Sequence, residues 1–186
     1  MKDKLISNII KSEEKRQSET INLIASENYV SSDVREALGS VFTNKYSEGY
    51  SKYRYYSGNA LVDELEEEVK ARALKLFKLS HNTWSVNVQP YSGSPANIAV
   101  LFALVPLGEK IMAMDLSMGG HLTHGYKASA TGKLWEQIPY GVDQKNETID
   151  YGVLMQIAKQ EQPKLIIAGG SALARKIDFK KMRIIA

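Results

Sequence analysis

The stretch Gln89-Pro90-Tyr91-Ser92-Gly93-Ser94-Pro95-Ala96-Asn97, QPYSGSPAN, decides the fold. Before it, residues 84–89 (WSVNVQ) read as a short strand. After it, the apolar run Ile98 to Val105 reads as a helix. Proline is tolerated at the first helical position because its missing N–H would be unpaired there anyway. Ser94 then serves as N-cap, and Gly93 lets the backbone turn tightly. Free first-turn N–H groups, two serine hydroxyls and the helix dipole converge on one spot, an anion site suited to a phosphate. The same residues also describe a well-capped helix whose serines bond only their own backbone. The spacing is neither a Walker A motif nor a dinucleotide fingerprint.

Downstream the pattern alternates. KIMAMD (110–115) reads as a strand, and residues 134–139 as another. Asp150 caps a helix through Glu161 that Pro163 stops, and KLIIAGG (164–170) is an apolar strand. Asp178 caps a last helix, which runs to the end of the chain and gives it the look of part of a longer protein. Strand and helix in alternation indicate an α/β chain with a largely parallel sheet. Upstream, residues 3–18 form a polar helix with a thin apolar seam (Leu5, Ile9), and INLIA (21–25) is extended. Ser32 caps a helix bearing Val34, Ala37, Leu38 and Val41. A strong helix carries Leu61, Leu65, Val69, Ala73 and Leu76, with an acidic start and a basic end that suit the helix dipole. The boundary falls between an arm, 1–57, and the sheet-forming part, 58–186.

Composition narrows the function classes. The chain has 186 residues, 44% hydrophobic and 24% charged, with a net charge of +3 spread along it. No Lys/Arg block suggests a nucleic-acid surface, and no apolar run approaches a membrane span. There are no cysteines, which excludes disulfides and thiolate metal sites and favours a reducing, cytoplasmic setting.

Two further clusters carry chemistry. In GGHLTHG (119–125), His121 and His124 lack a nearby glutamate, so zinc is poorly supported and no metal is expected. A loop imidazole can instead lie on an aromatic cofactor, or simply support its loop. The loop 43–59 holds five tyrosines and one carboxylate, Glu48. Tyrosines suit half-wet pockets and interfaces, and a lone carboxylate among them is an acid/base candidate. A subunit interface with a solvated glutamate fits the same residues.

Six stretches in order, NLIASEN, TNKYSEGY, RYYSGN, NVQPYSGSPAN, GGHLTHG and PKLIIAGGSA, closely resemble the N-terminal part of serine hydroxymethyltransferases. The resemblance implies a pyridoxal 5'-phosphate (PLP) enzyme of the aspartate-aminotransferase-like fold, type I, here an incomplete large-domain sheet preceded by a helical arm. It implies reversible transfer of a one-carbon unit from serine to tetrahydrofolate, giving glycine and 5,10-methylenetetrahydrofolate. It also implies a homodimer or homotetramer with active sites at the subunit interface.

By that resemblance, Ser92, Gly93 and Ser94 hold the cofactor phosphate, Asn97 and Tyr46 line its pocket, His121 stacks on its ring, and Ser171 bonds near its phenolic oxygen. Ser26 helps hold the substrate carboxylate, Glu48 handles the proton, Tyr55 lies near the folate, and Tyr46 and Tyr56 reach the partner's site. The catalytic set is thus Glu48, Tyr56 and His121. Ser57 stands where the family has glycine, and Leu173 where it often has an aromatic residue. The family's cofactor-bonding lysine, ring-pairing aspartate and carboxylate-binding arginine have no counterpart in these residues. The chain alone is therefore expected to be inactive, and the alternative is a non-catalytic cofactor-binding or dimerisation module.

Overall fold

The structure is a computed structural model that describes residues 2–186. In chain order the elements are helix α1 (Lys4–Glu19), helix α2 (Ser32–Leu38), strands β1 (Gly49–Tyr50) and β2 (Tyr53–Arg54), and helices α3 (Ala60–Leu76) and α4 (Gly93–Leu104). Strand β3 (Lys110–Met114), helix α5 (Ala130–Leu134), strand β4 (Glu136–Tyr140), helix α6 (Tyr151–Glu161), strand β5 (Leu165–Ile166) and helix α7 (Phe179–Ile185) follow. The chain divides into two compact units, residues 29–104 and residues 1–28 with 105–186.

The second of these units is built on a parallel sheet ordered β4-β3-β5. The central strand is KIMAM, and Ile111, Met112, Ala113 and Met114 are all fully buried. A parallel strand covered on both faces needs such a continuous apolar run. Around it pack Tyr140, Ile149, Leu154, Ala158 and Met182. The caps of α6 and α7 are as the sequence predicts: Asp150 accepts from the N–H of Gly152 and Val153, and Asp178 from those of Lys180 and Lys181. Tyr151 links the two helices, its hydroxyl accepting from Asp178 N at 2.6 Å.

Several expectations are corrected. Residues 84–89 form no strand: the three-stranded sheet is completed by β3, β4 and β5, and an extended segment without a partner backbone has no ladder to join. The INLIA segment likewise pairs with no strand and turns at Ala25 and Ser26. The strand expected over 164–170 is reduced to Leu165–Ile166, with Ile167 N adding one bond to Met112 O. Its glycines cannot pack a pleated face. Ser31, not Ser32, caps α2, its hydroxyl accepting from Val34 N.

In unit 29–104 the arginine of the tyrosine-rich loop organises the local structure. Arg54, with its side chain 5% exposed, pairs with Asp63 at 2.8 Å and Glu66 at 2.7 Å. It also donates to the carbonyls of Ser47 and Gly49. Asp63, Glu66 and Lys70 follow one another at i, i+3 and i+7, on one face of α3. The acidic start of this helix thus anchors the β1–β2 hairpin. Lys70 completes the network on Glu66 at 2.9 Å. The apolar seam of α3 is exposed, with Leu61, Leu65, Val69 and Leu76 all open to solvent.

Candidate active site

The helix start at residues 92–94 differs in register from the sequence expectation. Helix α4 begins at Gly93, and the carbonyl of Ser92 accepts the first helical bond from Ala96 N at 3.2 Å. Ser92 therefore takes the capping position, while Ser94 and Pro95 lie inside the first turn. Proline fits there for the same physical reason, because the first turn's N–H groups have no partner within the helix. Among the described residues the hydroxyls of Ser92 and Ser94 find no hydrogen-bond partner, Ser92 and Gly93 are exposed, and Ser94 is half-buried. An alanine Cβ at Gly93 would meet nothing within 4 Å. The first turn of α4 is thus open to an incoming anion, and its serines are not spent on their own backbone. Asn97 lies half-buried one turn further on.

The tyrosine loop gathers four of the expected residues. Tyr46 donates its hydroxyl to Glu48 at 3.1 Å, and this bond raises the Tyr46 pKa above the ordinary phenol value. The Tyr46 and Tyr56 rings meet edge to face at 5.3 Å. Tyr55 N donates to the Glu48 carbonyl, which ties the two arms of the hairpin together. All four side chains are exposed. Lys45 Nζ donates to the carbonyls of both Tyr46 and Ser57, closing the loop across twelve residues.

The positive φ of the Ser57-Gly58 turn falls on Gly58, at 75°, and Ser57 takes an ordinary conformation. The serine that replaces a family glycine is therefore accommodated without strain. A cleft of about 680 Å³ opens beside this loop. It is lined by Tyr46, Glu48, Arg54, Glu66, Gln89 and Tyr91, among others. Gln89 joins the loop to the segment leading into α4 by donating to Gly49 O at 2.9 Å.

In the other unit the structure brings Ser171 to the glycine-rich loop. Ser171 N and Ala172 N both donate to Gly119 O, at 2.7 and 3.1 Å. Gly119 has φ of 102°, and a Cβ there would lie 3.0 Å from the Ala172 backbone, so only glycine allows this approach. Leu173, in place of an aromatic residue, packs against the core.

His121 follows directly. Its Nδ1 accepts from Thr123 N at 3.1 Å and so caps the single 3₁₀ turn Leu122–His124. His121 is half-buried and His124 buried, with ring centroids 5.5 Å apart. Burial, and then the neighbouring His121, hold the His124 imidazole below the usual histidine range. Ser26 lies in an exposed turn closed by Glu27 N donating to Ile24 O. Two features went unread in the sequence, the Arg54 network and the buried Thr131 beneath the histidine turn. The spacing of Asp63, Glu66 and Lys70 was a signal for the first; the second had none.

The serine hydroxymethyltransferase family profile matches residues 1–186, the whole chain. This chain belongs to that family. It is 52% identical over 186 residues to a serine hydroxymethyltransferase of Borrelia duttonii, covering all of this chain and 44% of that protein. It is 54% identical over 177 residues to one of Methanosarcina barkeri, covering 95% of this chain and 42% of that protein. It is 50% identical over 184 residues to one of Acidothermus cellulolyticus, again covering 42% of that protein. The chain thus spans less than half the length of the curated relatives it matches. Among the described residues, no helix is long and apolar enough to cross a membrane.

Proposed function

We propose that the chain serves the reversible transfer of a one-carbon unit from serine to tetrahydrofolate, giving glycine and 5,10-methylenetetrahydrofolate. Pyridoxal phosphate is the cofactor, in an assembly of fold type I with the helical arm (1–57) leading the large domain. The observation that carries this reading is the open first turn of α4 in a chain matched end to end by the family profile. Unpaired serine hydroxyls and first-turn N–H groups fit a phosphate dianion in charge and in hydrogen-bonding capacity.

Ser92, Gly93 and Ser94 would hold that phosphate. Asn97 and Tyr46 would line the pocket, His121 would contact the ring, and Ser171 would bond near the phenolic oxygen. When bound, the cofactor supplies an electron sink for a substrate carbanion. The protein's own residues orient and move protons around it. Glu48 is oriented by the Tyr46 hydroxyl and exchanges a proton at the serine hydroxyl, next to the folate. Ser26 would hold the substrate carboxylate, Tyr55 would face the folate, and Tyr56 would reach a neighbouring subunit's site. The exposure of Tyr46, Tyr55 and Tyr56 is consistent with a homodimer or homotetramer whose sites lie at subunit boundaries. Cytoplasmic localisation accords with the absence of cysteine.

The test is titration of the chain with pyridoxal phosphate, followed by fluorescence quenching, for the wild type and Ser94→Ala. Loss of one charge-assisted hydrogen bond is worth about 1–3 kcal/mol, so affinity should fall by about 5- to 150-fold. Equal affinity would mean that the phosphate binds elsewhere. In the longer protein, Glu48→Gln should cripple folate-dependent serine cleavage and leave cofactor binding nearly intact.

A further inference from the structure

Thr131 is fully buried, and its hydroxyl lies at the centre of the turn that carries His121. Gly125 N donates to Thr131 Oγ1 at 3.1 Å, and the Leu122 carbonyl lies 3.3 Å from the same oxygen. Ser129 Oγ lies 2.7 Å away. Ser129 spends its own proton on Tyr126 O at 2.8 Å and accepts from Gly132 N at 3.2 Å. The Thr131 proton therefore goes to Ser129 Oγ, with Leu122 O as the longer alternative. The hydroxyl thus ties Gly125, at the end of the 3₁₀ turn Leu122–His124, to Ser129, the N-cap of α5.

Helix α5 is seated against the turn without slack. A Cβ on Gly132 would lie 2.1 Å from Tyr126 O. The turn in turn fixes His121, whose carbonyl accepts from His124 N at 3.0 Å and whose Nδ1 accepts from Thr123 N. Nδ1 also lies 2.7 Å from Thr123 Oγ1, which can donate to it as Thr123 N does, and with Nδ1 as acceptor the neutral ring carries its proton on Nε2.

We infer that Thr131 is a positioning residue: by locking the turn Leu122–His124 it fixes the orientation and tautomer of the His121 ring. Its consequence for cofactor binding rests on the reading of His121 given above, whereas the lock itself does not. No side chain other than serine can supply the same hydroxyl in the same place. Valine has the same shape but removes the acceptor that Gly125 N shares with Leu122 O and the proton that Ser129 Oγ receives, in a buried setting.

The experiment uses the 186-residue chain as wild type, Thr131→Ser and Thr131→Val, with His121→Asn to assign the His121 signals. Long-range proton–nitrogen correlation spectra at about pH 8.5, above the ordinary histidine range, read the tautomer. Wild type and Thr131→Ser should show His121 protonated on Nε2. Thr131→Val should show an averaged pattern, with Gly125 amide protection reduced at least about tenfold. A Thr131→Val spectrum with the wild-type His121 pattern and full Gly125 protection overturns the inference. If circular dichroism shows that Thr131→Val does not fold, Ser129→Ala is judged by the same criteria. Pyridoxal phosphate titration separates the two readings. Averaging of the tautomer without loss of affinity upholds the lock and removes His121 from the cofactor site. Averaging with a loss of about tenfold upholds both.

Discussion

Gly120 and Gly93 make a paired test of which glycines serve the fold and which serve the site. Gly120 is buried, and an alanine Cβ there would lie 2.1 Å from Met114 O and 2.8 Å from Asp115 O. Both are backbone atoms, so no side chain can swing aside. Ordinary contact begins near 3.4 Å, so the loop must move by more than an ångström. That movement strains the bond from Gly120 N to Asp115 O, now 2.9 Å, at the very end of β3. Overpacking costs about 1–3 kcal/mol and one strained hydrogen bond about 1 kcal/mol, for a total of about 2–4 kcal/mol. With a urea slope of about 2 kcal/mol/M, the midpoint should fall by about 1–2 M.

The assay is urea unfolding followed by Trp135 emission in a Trp84→Phe background, since Trp135 is buried in the same unit. Gly93→Ala lies in unit 29–104 and is followed by far-ultraviolet circular dichroism; with nothing within 4 Å, it should leave the midpoint unchanged or slightly raised, because alanine favours a helix over glycine. It should nevertheless weaken pyridoxal phosphate binding by crowding the open first turn. An unchanged midpoint for Gly120→Ala would refute the packing argument. A lowered midpoint for Gly93→Ala would show that the first turn of α4 serves the fold.

Two pH dependences follow from the charge environments. Burial pushes the Glu66 carboxyl up, but hydrogen bonds from Arg54, Lys70 and Gln89 outweigh it and hold the group at about 2. A depressed carboxylate contributes stability above its unfolded value of about 4.3 and loses it as pH falls toward 2, so Glu66→Gln should flatten acid unfolding of unit 29–104 across that window. For His124 the folded value is depressed by burial and then by His121, so the unfolded chain takes up the proton first. Stability should be full above about pH 6.5 and fall as pH drops through the depressed value, and His124→Gln should remove that slope in urea midpoints taken across the range.

The local signals in this sequence were strong where a single residue type does a backbone job. Asp150 and Asp178 were legible as caps because a carboxylate before an amphipathic run has few other uses, and both accept the expected N–H groups. The buried strand KIMAM was legible from its unbroken apolar run. The helix start at residues 92–94 was legible from composition, although the cap moved from Ser94 to Ser92 because proline is accepted anywhere in a first turn that lacks internal partners.

What the tertiary structure decided depends on partners far apart in the chain. WSVNVQ has the look of a strand, yet a strand exists only where another backbone pairs with it, and β4-β3-β5 leaves it unpaired. Arg54 could be seen in the sequence, but its choice of Asp63 and Glu66 over solvent required the hairpin to fold back on α3. The link between Ser171 and the glycine-rich loop spans some fifty residues and rests on the bare backbone of Gly119. Thr131 is the plainest case. Nothing in its neighbourhood of the sequence marks one threonine as special, and only burial together with three close polar partners gives its hydroxyl a task. Caps, periodicity and motifs are properties of contiguous residues, so the sequence alone determined them. Pairing, burial and proton direction are properties of groups brought together, and these only the folded chain could determine.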